Sequence, residues 1–201
     1  MKRISEAFKA AFEIKCAELI SKAYKSIVNK GIDCSNLDEN DITALIEREI
    51  KNNPQRLEWY ITNSREYHLD DNRQLNKGMA AKFPRIDMRF VTINSKKEYE
   101  YFFEAKNLKE TDSASKKRYI DTGIDNFITQ KYQNGSLIGY LIEGTPIGAI
   151  QGINVLLIKD GRVGECLEQM EVEFHCDFFQ SNHPNLFRLQ HYIFDFSNRN
   201  K

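Results

Sequence analysis

Two runs of β-branched and aromatic residues, separated by a short polar stretch, constrain the fold of this chain most. They are residues 84–93 (PRIDMRFVTI) and residues 99–106 (YEYFFEAK). Runs of this composition, bounded by polar residues, are typical of neighbouring strands. The sequence therefore predicts an antiparallel β-hairpin with its turn centred between Ser95 and Lys96.

Charged residues interrupt both predicted strands at matching heights. The predicted turn places Asp87 opposite Glu104, and Lys106 shares their face because side chains alternate along a strand. On an exposed sheet face these residues would form a simple cross-strand ion pair, worth roughly 0.2–1 kcal/mol. The aromatic neighbours indicate a central hairpin, where such pairs are uncommon. Two carboxylates beside a lysine then predict a divalent-metal site, as metal-assisted phosphodiester hydrolysis requires.

The composition narrows the class of protein without revealing a partner. The chain has 201 residues with 41% hydrophobic content, and its 29 basic and 29 acidic residues give a formal net charge of zero. We expect one globular domain spanning residues 1–201, no signal peptide and no membrane span. The four cysteines form no CxxC pair, which argues against a zinc knuckle or a disulfide framework and favours a cytoplasmic protein. They are Cys16, Cys34, Cys166 and Cys176.

Helices and further strands are predicted around the hairpin from apolar spacing, capping residues and glycines. The predicted helices cover residues 5–30, 39–52, 114–132 and about 146–159. The predicted strands cover residues 137–142, 171–179 and 186–196, with a doubtful strand at 66–69. The polar segment 62–83 has no clear assignment. His191 alternates with apolar residues and is interpreted as a buried strand histidine whose hydrogen bonds are satisfied.

This order of elements, with Asp87 and Glu104-Ala105-Lys106 on consecutive strands, resembles the PD-(D/E)xK superfamily of restriction-endonuclease-like nucleases. The resemblance implies an α/β fold with an αβββαβ core at about residues 39–143 and a mixed central sheet flanked by helices. The first helix and the C-terminal strands would be additions to that core. The motif is short, so its placement on the predicted strands carries most of the specificity.

The resemblance also implies roles for individual residues. Asp87 and Glu104 would bind Mg²⁺ together with the backbone carbonyl of Ala105, and Lys106 would orient or activate the attacking water. Mn²⁺ would substitute for Mg²⁺. The match is looser before Asp87, because residues 85–86 (Arg-Ile) stand where the superfamily often has proline and Pro84 is displaced.

Many members of the superfamily place another glutamate on the helix before the sheet. Glu39 at the start of the second predicted helix and Glu49 near the middle of its apolar stripe are both candidates, and the motif favours Glu39. Glu39 is also a residue that simply suits a helix N-terminus. Residues 116–119 and 130–132 of the next helix could face phosphate, or could form a solvated surface.

The expected function is a Mg²⁺-dependent nuclease that hydrolyses phosphodiester bonds, most plausibly a DNA endonuclease. The resemblance implies a role in restriction or phage defence, as a homodimer or as a subunit of a larger complex. A non-catalytic nucleic-acid-binding or assembly subunit with the same fold is the main alternative. A third reading is an unrelated interaction protein in which the charged hairpin is structural.

Overall fold

The computed structural model describes residues 2–69, 85–94, 96–132, 134–184 and 186–197, and it is an α/β protein built on a seven-stranded sheet. The strands are β1 (Thr62–His68), β2 (Arg85–Asn94), β3 (Lys97–Lys109), β4 (Ser136–Glu143), β5 (Glu168–Val172), β6 (His175–His183) and β7 (Leu186–Asp195). The helices are α1 (Lys2–Asn29), α2 (Glu39–Asn52), α3 (Gln55–Glu58), α4 (Ser113–Arg118), α5 (Asp125–Ile128) and α6 (Pro146–Lys159). A π-helical segment, Tyr119–Ile124, joins α4 to α5, and a 3₁₀ turn covers Val163–Glu165.

The sheet is mixed and open, with the strand order β1-β2-β3-β4-β7-β6-β5. Its centre is parallel, since β4 pairs in parallel with both β3 and β7, while the remaining pairs are antiparallel. Parallel strands need helical crossovers that cover the sheet faces. The predicted mixed sheet flanked by helices is therefore confirmed.

The predicted hairpin is confirmed together with its register. Asn94 pairs with Lys97 across the turn, and the ladder continues to Met88↔Phe103. The ladder ends there, so the carboxylates of Asp87 and Glu104 lie where β2 and β3 stop exchanging backbone hydrogen bonds. This local opening frees a backbone N–H of β3 for a side chain to bind.

Two apolar layers hold the sheet between helices. One layer packs α1 and α2 onto one face through residues such as Ile20, Ile46 and Phe103. The other packs the π-helical segment and α6 onto the opposite face through residues such as Ile120 and Ile153. Buried apolar area on both faces is the main stabilising contribution, at roughly 25 cal/mol per Å².

The helix ends follow local capping chemistry. Asp38 caps α2 by accepting from the backbone N–H of Asp41 at 2.8 Å, and Thr145 caps α6 by accepting from Gly148 at 2.9 Å. Both helices have the predicted bounds. The helix predicted to run to residue 132 was wrong at its C-terminus, because α5 ends at Ile128 and Gln130 takes a positive φ of 58°.

The remaining strand predictions were partly wrong. The doubtful strand near residues 66–69 is the longer β1, which begins at Thr62. The single strand predicted at 171–179 is instead the end of β5, a turn and the start of β6, because the chain reverses between Val172 and His175. The prediction for Pro84 and most of the unassigned segment 62–83 lie outside the described residues. Within the described ranges, no helix is long and apolar enough to cross a membrane.

Candidate active site

An open cleft of about 390 Å³ lies where β2 and β3 separate. The residues that line it come from the start of α2, from β1, β2 and β3, and from the helical region that follows β3. They are Glu39, Asn40, Glu66, Arg85, Asp87, Glu104, Lys106, Arg118, Thr122, Asn126, Lys131 and Tyr132. The fold thus brings Asp87, Glu104, Lys106 and Glu39, which the sequence predicted as site residues, into one cleft.

The ammonium group of Lys106 is surrounded by oxygens in this cleft. Its Nζ donates to Glu104 Oε1 at 2.7 Å and to the backbone oxygen of Ala105 at 2.6 Å. It lies 3.3 Å from Glu39 Oε1 and 3.9 Å from Asp87 Oδ2. The four oxygens that face Lys106 include one from each group expected to bind a metal ion: Asp87, Glu104 and the Ala105 carbonyl.

Asp87 is fixed by the backbone of the neighbouring strand. Its Oδ2 accepts a hydrogen bond from the backbone N–H of Ala105 at 2.7 Å, a donor freed by the end of the β2–β3 ladder. Burial raises the pKa of Asp87, although the Lys106 ammonium and the Ala105 N–H act against that rise. A charge-assisted bond from a backbone amide gives this carboxylate a defined direction.

Glu104 is the most confined carboxylate of the cleft. Only 8% of its side chain is exposed, and its Oε2 accepts no hydrogen bond from the described residues. The Tyr132 phenol lies in the cleft wall and lowers the pKa of Glu104. Its hydroxyl donates to the backbone oxygen of Arg85 at 3.0 Å. Burial first, and then the charge of Asp87, raise the pKa of Glu104 to about 7 despite Lys106.

Burial has the opposite effect on Lys106, whose side chain is 7% exposed. Burial alone would lower the pKa of its ammonium, but the carboxylates of Glu104, Glu39 and Asp87 together raise it. Lys106 is therefore charged at neutral pH. A buried cation held by three acids is a coupled cluster, and removing one member affects the others.

The structure separates the two candidate helix glutamates. Glu39 reaches the cleft, where its Oε2 accepts from the backbone N–H of Asn107 at 2.9 Å. Glu49 instead binds Ser26 Oγ of α1 and Nζ of Lys30, the residue that follows α1, each at 2.6 Å. Glu49 is thus occupied by a helix–helix contact, and Glu39 is the glutamate that stands beside Lys106.

The rim of the cleft carries basic side chains from the helical region after β3. Of residues 116–118, Arg118 alone lines the cleft, while Lys117 binds Asp121 and Asp160. Lys131 also reaches the rim, as the sequence allowed. Sequence reasoning missed five further lining residues: Asn40, Glu66, Arg85, Thr122 and Asn126. The last two follow Arg118 at intervals of four, a spacing that places them on one helix face.

The donor set suits a hard divalent cation, although Lys106 now takes the central position. Carboxylate and carbonyl oxygens are the ligands that Mg²⁺ and Mn²⁺ prefer. In the part of the chain that the structure describes, no three His, Cys, Asp or Glu side chains are arranged as a ready metal site. The unpartnered Glu104 Oε2 is the observation that fits an added cation.

A second buried polar cluster, the histidine network, joins the π-helical segment to the C-terminal strands. Tyr119 Oη bonds His191 Nδ1 at 3.0 Å, and His191 Nε2 bonds Ser181 Oγ at 2.7 Å. Ser181 Oγ also bonds His183 Nε2 at 2.7 Å, and His183 Nδ1 bonds Glu165 at 2.6 Å. Both ring nitrogens of His191 are bonded, which confirms its interpretation as a satisfied strand histidine.

Comparisons with known proteins identify no relative of this chain. The chain matches no protein-family model, no curated protein and no solved structure. The chemistry of the cleft residues is therefore the basis for inferring a function.

Proposed function

We propose that this protein is a Mg²⁺-dependent nuclease that hydrolyses phosphodiester bonds of DNA, with its active site in the cleft between β2 and β3. The observation that carries the proposal is the convergence of Glu39, Asp87, Glu104 and the Ala105 carbonyl oxygen on Lys106. The order α2, β1, β2, β3, helix, β4 around this cleft supports a restriction-endonuclease-like core. Restriction or phage defence is the biological setting that this proposal favours.

Asp87, Glu104 and the backbone carbonyl of Ala105 are the groups that would hold the metal ion, with Glu39 beside them. Asp87 is already oriented by the Ala105 N–H, and Glu104 offers an oxygen that accepts no hydrogen bond from the described residues. When bound, Mg²⁺ would lower the pKa of a coordinated water and offset charge on the scissile phosphate. A buried carboxylate oxygen that accepts no hydrogen bond is costly, so a cation beside Glu104 Oε2 would be stabilising.

Lys106 is the residue that we expect to act on the attacking water and on the phosphate. Its ammonium is confined by β3 and is charged at neutral pH, because three carboxylates raise its pKa. A fixed positive charge next to the reacting phosphate stabilises negative charge that develops during hydrolysis. The side chain would leave part of its present contacts when a metal ion binds, and its hydrogen bonds to the Ala105 carbonyl oxygen and to Glu104 are the ones in competition.

A non-catalytic role in nucleic-acid binding or assembly is the second candidate. It is favoured by the same ammonium group, because Lys106 already compensates the carboxylates without a metal ion. Under this alternative the cluster is a structural ion-pair network. The two candidates differ in whether the purified protein binds Mn²⁺ and cleaves DNA.

Plasmid cleavage tests the proposal. Purified protein is incubated with supercoiled plasmid in Mg²⁺ or in EDTA, beside the variants Asp87→Ala, Glu104→Ala and Lys106→Ala. We expect metal-dependent nicking or linearisation by the wild-type protein and a loss of at least about 100-fold in each variant. Circular dichroism establishes that each variant is folded.

Glu49→Gln is the matched control, because Glu49 is a glutamate of the same helix that contacts α1 and lies outside the cleft. It should cleave as the wild-type protein does. Full activity of a folded Asp87→Ala variant would contradict the site assignment. Absence of both cleavage and Mn²⁺ binding in the wild-type protein would favour the non-catalytic alternative.

A further inference from the structure

Among the described residues that line the cleft, Arg118 is the one whose charge is both exposed and directed at a carboxylate of the acidic cluster. It is the last residue of α4, and its side chain is 49% exposed. Its guanidinium contacts Glu39 Oε2, and its charge also favours the ionised form of Asp87. Arg118 thus lies at the cleft rim, where its charge acts on Glu39 of α2 and on Asp87 of β2.

Glu39 has little acceptor capacity left in this arrangement. Its Oε2 accepts both from the Asn107 N–H and from Arg118, and its Oε1 faces Lys106 at 3.3 Å. A carboxylate oxygen has about two lone-pair positions. The Asn107 contact is a backbone bond inside the fold, whereas the Arg118 contact involves a half-exposed side chain. Arg118 is therefore the partner that Glu39 can release.

A released guanidinium at this position suits a phosphate group. Arginine presents paired donors that match phosphate oxygens, and it keeps its charge at every pH of interest. Thr122 and Asn126 lie on the same side of the cleft and add polar side chains along the same helical region. Thr122 and Asn126 donate to the backbone oxygens of Arg118 and Thr122, so the guanidinium is the rim donor that the proposal uses.

We propose that Arg118 has two alternating partners: Glu39 when no metal ion is bound, and a phosphate of the nucleic acid when metal ion and substrate are bound. The inference rests on the proposed nuclease function and adds a substrate-binding residue to it. The guanidinium would be free to turn to the substrate once a bound metal ion compensated the acidic cluster. Arg118 accordingly weakens metal binding and strengthens substrate binding.

Opposite changes in two affinities test this proposal. Calorimetric titration of the full chain with Mn²⁺ alone should show tighter binding by Arg118→Ala, by about two- to five-fold, because a half-exposed competing cation is removed. Binding of a short DNA duplex in Ca²⁺, followed by fluorescence anisotropy, should weaken in the same variant. The slope of the logarithm of the DNA-binding constant against the logarithm of salt concentration should become shallower by about 0.9, the amount for one phosphate contact.

Lys117→Ala is the matched control, since Lys117 is 48% exposed on the same helix but binds Asp121 and Asp160. It should leave Mn²⁺ affinity and the salt slope unchanged. Arg118→Lys keeps the charge without the paired donors. It should bind Mn²⁺ nearly as the wild-type protein does and bind DNA with intermediate affinity.

Two results overturn the proposal in distinguishable ways. If the wild-type protein binds no Mn²⁺, the proposed function and the role of Arg118 fail together. If it binds Mn²⁺ but Arg118→Ala binds the ion equally or more weakly, or retains the wild-type salt slope, only the role of Arg118 fails. Thermal melts of all three variants establish that the comparison is made between folded proteins.

Discussion

The cleft cluster and the histidine network are both buried polar groups, yet they resolve the cost of burial differently. In the histidine network each histidine nitrogen, hydroxyl and carboxylate that forms the chain has a partner at 2.6–3.0 Å. In the cleft, three carboxylates converge on Lys106 and Glu104 Oε2 remains without a hydrogen bond from any described residue. A satisfied network is typical of structural support, whereas an acidic excess with a free oxygen is typical of a site for a cation.

The direction of the hydrogen bonds in the histidine network is determined by Glu165 at one end. Arg162 and His183 lower the pKa of Glu165, so this carboxylate is ionised and only accepts. His183 then donates to Glu165 through Nδ1 and accepts from Ser181, and the same direction continues through His191 to Tyr119. The network stabilises the segment that begins at Tyr119, one residue after Arg118. Structural support in one region thus positions a rim residue in the other.

Removing Lys106 should give the largest difference between the two regions. Lys106→Met leaves buried carboxylates without their cation, and we expect a loss of about 3–5 kcal/mol in the free energy of unfolding in EDTA. Added Mn²⁺ should recover much of this loss, because the ion replaces the missing charge. Urea unfolding with and without Mn²⁺ measures both effects.

Ser181→Ala is the counterpart in the histidine network. It leaves two histidine nitrogens unpartnered and should cost about 1–3 kcal/mol. Mn²⁺ should not recover this loss. Equal recovery in both variants would remove the distinction between the regions.

The pKa of Glu104 gives the cleft a characteristic dependence of stability on pH. Its pKa is about 7 in the folded protein against an ordinary value of 4.5, so the folded protein takes up the proton first. Its contribution to stability is present below pH 4.5 and is lost as pH rises to about 7, by roughly 3 kcal/mol at most. Glu104→Gln should abolish this decline in EDTA. Parallel pH profiles of the variant and the wild-type protein would contradict the assigned burial cost.

His191 should give the histidine network the opposite dependence. Burial lowers its pKa from 6.5 to about 3, so the unfolded chain takes up the proton first. Stability is then lost as pH falls below 6.5, by about 2 kcal/mol between pH 6.5 and pH 5. His191→Gln, which does not titrate, should reduce the slope of this part of the unfolding profile, while His175 and His183, whose pKa values burial also lowers, supply the slope that remains. An unchanged slope in that variant would show that His191 is not the titrating group.

Glu49→Gln should have the smallest effect. Glu49 binds Lys30, whose side chain is half exposed, and such pairs contribute about 0–1 kcal/mol. We expect thermal denaturation to show a loss within that range and Mn²⁺ affinity to stay unchanged. Weaker Mn²⁺ binding in this variant would return Glu49 to the list of candidate ligands.

The hairpin and its charged residues were predictable because local patterns determine them. Alternation and the polar turn gave the register that places Asp87 near Glu104, and the Asp38 cap gave the start of α2. The motif favoured Glu39 over Glu49, but both lie on α2, and only packing against α1 and β3 distinguishes their positions. Short-range patterns thus determine elements, while the cleft depends on which elements meet.

The histidine network was not predictable from sequence. Its members come from the π-helical segment, a 3₁₀ turn and two strands, so no spacing connects Tyr119, Glu165 and His191. The π-helical segment itself has no distinct sequence pattern. Thr122 and Asn126 are a different case, because their four-residue spacing from Arg118 was visible and their position over the cleft was not.

Anomalous scattering from crystals grown with Mn²⁺ tests the central claim most directly. The account predicts one strong peak in contact with Asp87, Glu104 and the Ala105 carbonyl oxygen, with the Lys106 ammonium moved away from Glu104. Crystals of Asp87→Asn should lack the peak. A cleft with no peak, in which Lys106 keeps its contacts with all three carboxylates, would contradict the account and identify the cluster as a structural ion-pair network.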